Sequence, residues 1–333
     1  LTDYNSFLIA SKLLKNTKIK VFKNFDSLNK IFDINKKIDY SMCAISGFQG
    51  LKPTLDIIKF TKTIAIANKE SIICGWNLIK KDLKKYKTYF IPVDSEHFSI
   101  WSLLDNNKKN NFEKIYITAS GGPFRKLSLK KFKNISIKDA LKHPNWSMGK
   151  KISIDSATMM NKVFEIIEAK KIFNLSYDQL DILIHPTSYL HAIVKFNNGL
   201  SKLLVHDTNM IIPIFNSIYF NTDKKLKSKN IDLKILNNLN LKKVDKIKFP
   251  VIKILKNMSK EDTLFETVII SANDKLVKLF LNNKIKFTDI SNILLKICSI
   301  TEFNKFKSKT PKNIDEINNL ANYVSLKIDA MSV

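Results

Sequence analysis

Three carboxylates and a lysine carry most of the chemistry this sequence could perform. Asp94 and Glu96 stand two apart in Asp94-Ser95-Glu96-His97, directly after the apolar run Tyr89 to Val93. Side chains two apart at a strand end emerge on the same side. Glu165 belongs to a later stretch in which Thr158, Asn161, Lys162 and Glu165 recur at helical spacing. An amide, an ammonium and a carboxylate on one face suit a small anionic substrate. Three carboxylates with no cysteine or histidine cluster to match suit a hard cation, Mg²⁺ or Mn²⁺, held through oxygen with positions left for substrate oxygens. Two plainer readings stay open: Asp-Ser-Glu also caps a helix, and a lysine-bearing polar face also fits an ordinary amphipathic helix. Nucleophilic catalysis is poorly served, because no serine sits in a nucleophile elbow and no cysteine has a base beside it.

These groups need elements to hold them. From Ser156 onward the pattern predicts a helix, with Met160, Val163, Phe164 and Ile167 forming its core stripe. Asp155-Ser156 would cap it, and the first-turn amides would favour an anion such as phosphate. Upstream, Phe7–Ala10, Ile19–Phe22, Met42–Ile45, Thr63–Ala67 and Tyr89–Val93 read as strands alternating with helices, one of them following Pro53. That alternation implies a mostly parallel α/β sheet. Three of these strands run into polar clusters, Ser46 to Gly50, Asn68 to Ser71 and Asp94 to His97, where open sheets place ligands.

Ile115–Ala119 is a further strand, running into Ser120-Gly121-Gly122, whose amides can approach an anion closely or simply form a turn. Residues 143–151 lack periodicity and carry Trp146, as a lid loop could. Leu180–Ile184 and Ala192–Phe196 flank a turn with His185 and His191, both read as structural. Asp223 to Lys243 reads as a lysine-rich linker. Beyond Asn240 the texture is helical, as in Val268–Phe280 and Ile314–Ile328.

Composition narrows the class. The 333 residues carry a formal charge of +26, which invites a nucleic-acid reading. Yet the 56 basic residues include a single arginine, Arg125, and phosphate and base readers lean on arginine's bidentate fork. The expectation is therefore no nucleic acid, with the basic field able to recruit a phosphorylated substrate. Cys43, Cys74 and Cys298 form neither a disulfide framework nor a zinc spacing, which implies a reducing compartment. The longest apolar run, Met210 to Phe220, is broken by Pro213 and Asn216, so no membrane span is expected. No signal-peptide pattern precedes the first strand.

Ala65-Ile66-Ala67-Asn68-Lys69-Glu70-Ser71, Pro92-Val93-Asp94-Ser95-Glu96-His97, Ser120-Gly121-Gly122-Pro123-Phe124-Arg125 and the long run from His143 to Lys162 stand in one order, followed by His185 to Val194 and Ser271 to Ile290. Together they resemble the 1-deoxy-D-xylulose 5-phosphate reductoisomerase family over nearly the whole chain. The resemblance implies a metal- and NADPH-dependent enzyme of non-mevalonate isoprenoid synthesis, a homodimer of the bacterial cytoplasm or of a plastid stroma after removal of a transit peptide. It implies an α/β fold of three parts: the remainder of a Rossmann-like NADPH domain at 1–93, a catalytic, metal- and substrate-binding domain at 94–240 with its lid near 143–151, and a C-terminal α-helical domain at 241–333.

By motif, Asp94, Glu96 and Glu165 would hold the metal and, with Lys69, form the catalytic set. Lys69, Ser95, Glu96, Ser120, His143, Trp146, Ser156, Asn161, Lys162 and Glu165 would meet the substrate. Asn68, Glu70, Met148 and Gly149 would touch NADPH. The family's glycine-rich phosphate loop is absent from this stretch of chain and is expected upstream of Leu1. Val163-Phe164 replace Gly-Leu, placing bulk next to Glu165. Asn209, Ile211 and Asp274 replace Asp, Arg and Glu. A second reading follows from these departures: a homologue that binds metal and sugar phosphate without NADPH.

Overall fold

A computed structural model describes residues 3–104, 112–146 and 148–331. Two sheets organise it. Strands β1 (Ile38–Cys43), β2 (Thr61–Ile66) and β3 (Tyr89–Pro92) form a parallel sheet in that order, with Tyr40 opposite Thr63 and Ala65 opposite Ile91. Among helices of eight residues or more, α1 (Tyr4–Leu13) precedes this sheet, while α2 (Leu51–Ile58) and α3 (Lys69–Tyr86) connect its strands. Helix α4 (Ser95–Leu104) leads on to β4 (Phe112–Ala119). The second sheet has the order β7-β6-β4-β5-β8, from β5 (Leu180–Ile184), β6 (Leu190–Phe196), β7 (Ser201–Val205) and the short β8 (Lys242–Lys243). β4 runs parallel to β5 and antiparallel to β6, so the β5–β6 turn crosses over β4 rather than closing a hairpin.

Between the sheets' connections lie α5 (Lys150–Thr158) and α6 (Met160–Phe173). After α7 (Ile211–Ile218) the chain is chiefly helical, with α8 (Phe265–Leu281), α9 (Phe287–Ser299) and α10 (Ile314–Met331). One contiguous core joins Ile64, Ile100, Ile117, Phe164, Val268, Leu294 and Val324. Among the described residues no helix is long and apolar enough to cross a membrane, and all three cysteines are free.

Three local expectations change. Phe7–Ala10 is helical, not a strand: the Asp3 side chain accepts from the Ser6 amide at 2.7 Å and caps α1, whose apolar residues are partly exposed. Ile19–Phe22 forms no strand. The helix expected from Ser156 is two helices. Met159 adopts a left-handed conformation (φ 68°), because Thr158 Oγ1 bonds back to Ile154 O (3.1 Å) and Asp155 O (3.2 Å) while accepting from Met160 N. Asp155 and Ser156 therefore close α5 instead of capping the helix that follows. The core stripe holds: Met160, Val163, Phe164 and Ile167 are all buried.

Candidate active site

Loops at the C-terminal ends of β2, β3 and β4 converge on α5 and α6 around a cavity of about 250 Å³. Asn68 caps α3, its Oδ1 accepting from Ser71 N at 2.5 Å, which sets Lys69 at the first helical position. Asp94 sits just before α4, its backbone carbonyl accepting from Phe98 N at 2.7 Å, and Glu96 lies in the first turn of that helix. Glu165 enters from α6, in which every residue from Lys162 to Lys171 is buried. Val163 and Phe164 point into the core and do not line the cavity, so the bulk beside Glu165 leaves the site open.

The carboxylates meet. One oxygen each of Asp94, Glu96 and Glu165 lies within 4.8 Å of the others. Lys69 Nζ touches Asp94 Oδ2 and stands 3.6 Å from Glu165 Oε1 and 3.5 Å from Glu168 Oε2. Lys162 Nζ bonds Glu96 Oε1 at 2.8 Å, Thr118 O at 2.5 Å and Glu165 Oε2. Four carboxylates (Asp94, Glu96, Glu165, Glu168) against two ammoniums leave two negative charges in a buried cluster, the charge of one divalent cation.

Titration behaviour agrees with that excess. Burial, then the neighbouring Glu96, pushes the Glu165 carboxyl above its ordinary value. Burial works the same way on Glu96, but Lys162 overrides it and holds that carboxyl well below the usual range. Burial alone would lower Lys69 and Lys162, whereas the surrounding glutamates keep both above the ordinary lysine value. The all-oxygen donor set and the charge excess together fit a hard dication.

The opposite wall is built for an oxyanion. Gly121 and Gly122 both have positive φ, and a Cβ on Gly122 would lie 2.8 Å from Ser156 O. Only glycine lets this loop lie against α5. His143 Nδ1 accepts from Trp146 N (2.9 Å) and Asn145 N (3.2 Å), so its Nε2–H faces Ser120 Oγ at 3.1 Å. Ser120 Oγ also accepts from Gly122 N, which leaves the serine proton available to a ligand. Burial, with Lys162 and Arg125 nearby, lowers His143 to about 4, and it is neutral at physiological pH. Asn145 Nδ2 ties the segment 143–146 to Pro186 O (2.7 Å) and Ser188 Oγ (2.9 Å), while Ser147 of the expected lid lies outside the described residues.

Of the residues expected at the site, Lys69, Asp94, Ser95, Glu96, Ser120, His143, Trp146, Met148, Ser156, Asn161, Lys162 and Glu165 line the cavity. Asn68, Glu70 and Gly149 lie beside it: Asn68 Nδ2 bonds Ile45 O at 2.6 Å, Glu70 is 3.3 Å from Lys151, and Gly149 precedes α5. Sequence reasoning missed Met159, Ser188 and Met210, and read His191 as structural although it also lines the cavity. His191 stacks on His206 with ring centroids 3.6 Å apart, and burial, then His206, lowers it to about 3. Glu168 and His97 carried no separate signal: the first looked like one more helical acid, the second like the tail of the acidic motif.

Family models described as 1-deoxy-D-xylulose 5-phosphate reductoisomerase, the C-terminal domain of that enzyme, and the DXP reductoisomerase C-terminal domain match residues 3–75, 90–173 and 206–324. The chain is 87% identical over 332 residues to the 1-deoxy-D-xylulose 5-phosphate reductoisomerase of Pelagibacter ubique, covering 100% of this chain and 86% of that protein. The corresponding protein of Sulfurihydrogenibium is 39% identical over 93% of this chain and 81% of its own length. Among solved structures, the Zymomonas mobilis reductoisomerase in complex with NADPH superposes with a TM-score of 0.87 at 29% identity, covering 100% of this chain and 84% of that one. A DOX-P reductoisomerase in complex with NADPH, fosmidomycin and magnesium gives the same score and identity over 99% and 84%.

Proposed function

The chain belongs to the 1-deoxy-D-xylulose 5-phosphate reductoisomerase family, and from that premise we propose how its own residues carry the family's reaction. The reaction is an NADPH-dependent, metal-assisted conversion of 1-deoxy-D-xylulose 5-phosphate to 2-C-methyl-D-erythritol 4-phosphate, a skeletal rearrangement followed by reduction of the aldehyde. The observation that carries the site assignment is the convergence of Asp94, Glu96 and Glu165 beside the Ser120–His143 wall.

Asp94, Glu96 and Glu165 hold the cation. When bound, it supplies electrophilic polarisation of the substrate's ketone and neighbouring hydroxyl oxygens. Lys69 and Ser95 contact those oxygens from the carboxylate side. Ser120, Ser156, Asn161 and the neutral His143 bind the phosphate end, so binding energy far from the reacting carbons fixes their orientation. Lys162, already bonded to Glu96, serves the carboxylate wall more than the phosphate, although its charge reaches both. Trp146, edge-on to His191 at 6.3 Å, covers the cavity and excludes water from the aldehyde. Asn68, Glu70, Met148 and Gly149 would touch NADPH, which when bound would supply the hydride.

The binding-only alternative lacks a specific observation in its favour, since Val163 and Phe164 leave the cavity open. We place domain boundaries near residues 93 and 240, the first supported by the end of the first sheet at Pro92; β8 at Lys242–Lys243 still pairs with β5, so the second sheet extends just past the second boundary. We also infer a homodimer, in the bacterial cytoplasm. Supporting it, β7 is an edge strand with Leu203 half-exposed, and the helix that follows it in the chain, α7, leaves Ile211 exposed. The test is substrate-dependent oxidation of NADPH with Mn²⁺ or Mg²⁺; absence of oxidation despite Mn²⁺ binding would overturn the catalytic reading in favour of the binding-only one.

A further inference from the structure

Glu168 is a buried acid with no part in the assignment above. It lies one turn beyond Glu165 on α6 and is 1% exposed. Its Oε2 is 3.5 Å from Lys69 Nζ and 4.0 Å from His97 Nδ1. His97 does not hold it by a hydrogen bond: the ring is fully buried, its Nε2 donates to Glu165 O at 2.8 Å, and its Nδ1 has no hydrogen-bond partner. Among the described residues Lys69 is thus the one lysine within ion-pair distance of Glu168. Lys69 in turn touches Asp94 and stands 3.6 Å from Glu165, two of the three acids assigned to the cation. An ammonium and a dication on the same carboxylates repel each other, and only Glu168 lies outside the set they would share.

We propose that Glu168 is a positioning residue that holds the Lys69 ammonium at the cavity wall when a divalent cation takes Asp94 and Glu165. The inference rests on the cation-site assignment above. It makes Lys69 a group with two sets of partners, and Glu168 the one that keeps it facing substrate in the working enzyme. Length matters as much as charge, because the carboxylate must reach across from α6 to the start of α3.

The test uses the full chain and two readouts, Mn²⁺ affinity by electron paramagnetic resonance without substrate, and kcat/KM at saturating Mn²⁺. Glu168→Asp keeps the charge but shortens the arm. It is expected to bind Mn²⁺ within about threefold of wild type and to lose about tenfold in kcat/KM. Glu168→Gln is expected to lose more, and Lys69→Met to bind Mn²⁺ more tightly while losing most activity. In the double variant Lys69→Met/Glu168→Gln, the glutamate change should cost no further activity, because Glu168 acts through Lys69. Wild-type kcat/KM in Glu168→Asp, or full additivity in the double variant, would overturn the proposal. A wild-type chain that binds no Mn²⁺ would instead remove the cation site itself, a different failure seen in the first readout.

Discussion

At the scale of single residues the site is a charge balance held by neighbours. Glu165 is 1% exposed and next to Glu96, so its carboxylate persists through Lys162 and the cation it is assigned. Glu165→Gln removes one ligand and is expected to cut metal-dependent turnover by at least about a hundredfold with the fold retained; unchanged turnover would strike it from the ligand set. His143 and His191 make a pH prediction. Both are lowered, to about 4 and about 3, chiefly by burial, so the folded chain takes up fewer protons than the unfolded chain below pH ~6.5. Their contribution is complete above pH ~6.5 and is lost as pH falls toward 4 and below. Urea midpoints of His191→Gln should accordingly fall less between pH 7 and pH 5 than those of the wild type; an equal or steeper fall would contradict the assignment.

At the scale of elements, the junction of α5 and α6 decides the shape of the pocket. Met159 has both a left-handed backbone and a buried side chain. The backbone strain is about 1 kcal/mol, and truncating a buried methionine costs roughly 2–5 kcal/mol, so packing wins and any small residue destabilises. Glycine nonetheless recovers the strain. Met159→Gly is expected to be less destabilised than Met159→Ala, the reverse of the usual order in helical segments, as measured by urea denaturation. Gly122→Ala should cost about 1–3 kcal/mol through its contact with Ser156 and weaken substrate binding by shifting α5.

The sequence read well wherever periodicity and tertiary burial agreed. β2, β3, α8 and α10 fell at the expected places because their apolar spacing is the spacing of their burial. The α5–α6 break was illegible because it depends on a threonine hydroxyl competing with its own backbone, which leaves the apolar stripe intact. Phe7–Ala10 failed for a related reason: four apolar letters look alike in a strand and a helix, and the Asp3 cap settled it. The site acids were legible through their motifs. Glu168 was not, because its significance is a partner 99 residues away.

For the whole molecule the dominant feature is a net charge of +26 carried almost entirely by lysine. The surface attracts a phosphorylated substrate over a Debye length of about 10 Å at 0.1 M salt. Raising salt from 50 to 500 mM should lower kcat/KM for the phosphorylated substrate by several-fold, roughly the scale of electrostatic steering, while kcat at saturation changes little. Equal salt sensitivity of both constants would place the effect inside the site rather than on encounter.

Helices α5 and α6, which both line the cavity, join at Met159, and each is anchored to other parts of the fold. α6 is moored on several sides, through Lys162 to Glu96, Glu168 to Lys69, and Lys171 to Asp262 and Glu266. α5 is held through Lys151 to Glu70 and Asp274 and through Asp155, which accepts from Asn273 Nδ2 at 2.7 Å, and it carries Ser156 near its end. The two banks of the cavity thus join at one left-handed residue, each moored to a different part of the fold. A ligand gripping only the acids of α6 and α4 should bind in a single fast phase. One that also engages Ser156 and Trp146 draws the two banks together through the Met159 junction, and stopped-flow traces for it should show a second, concentration-independent step that Met159→Gly accelerates.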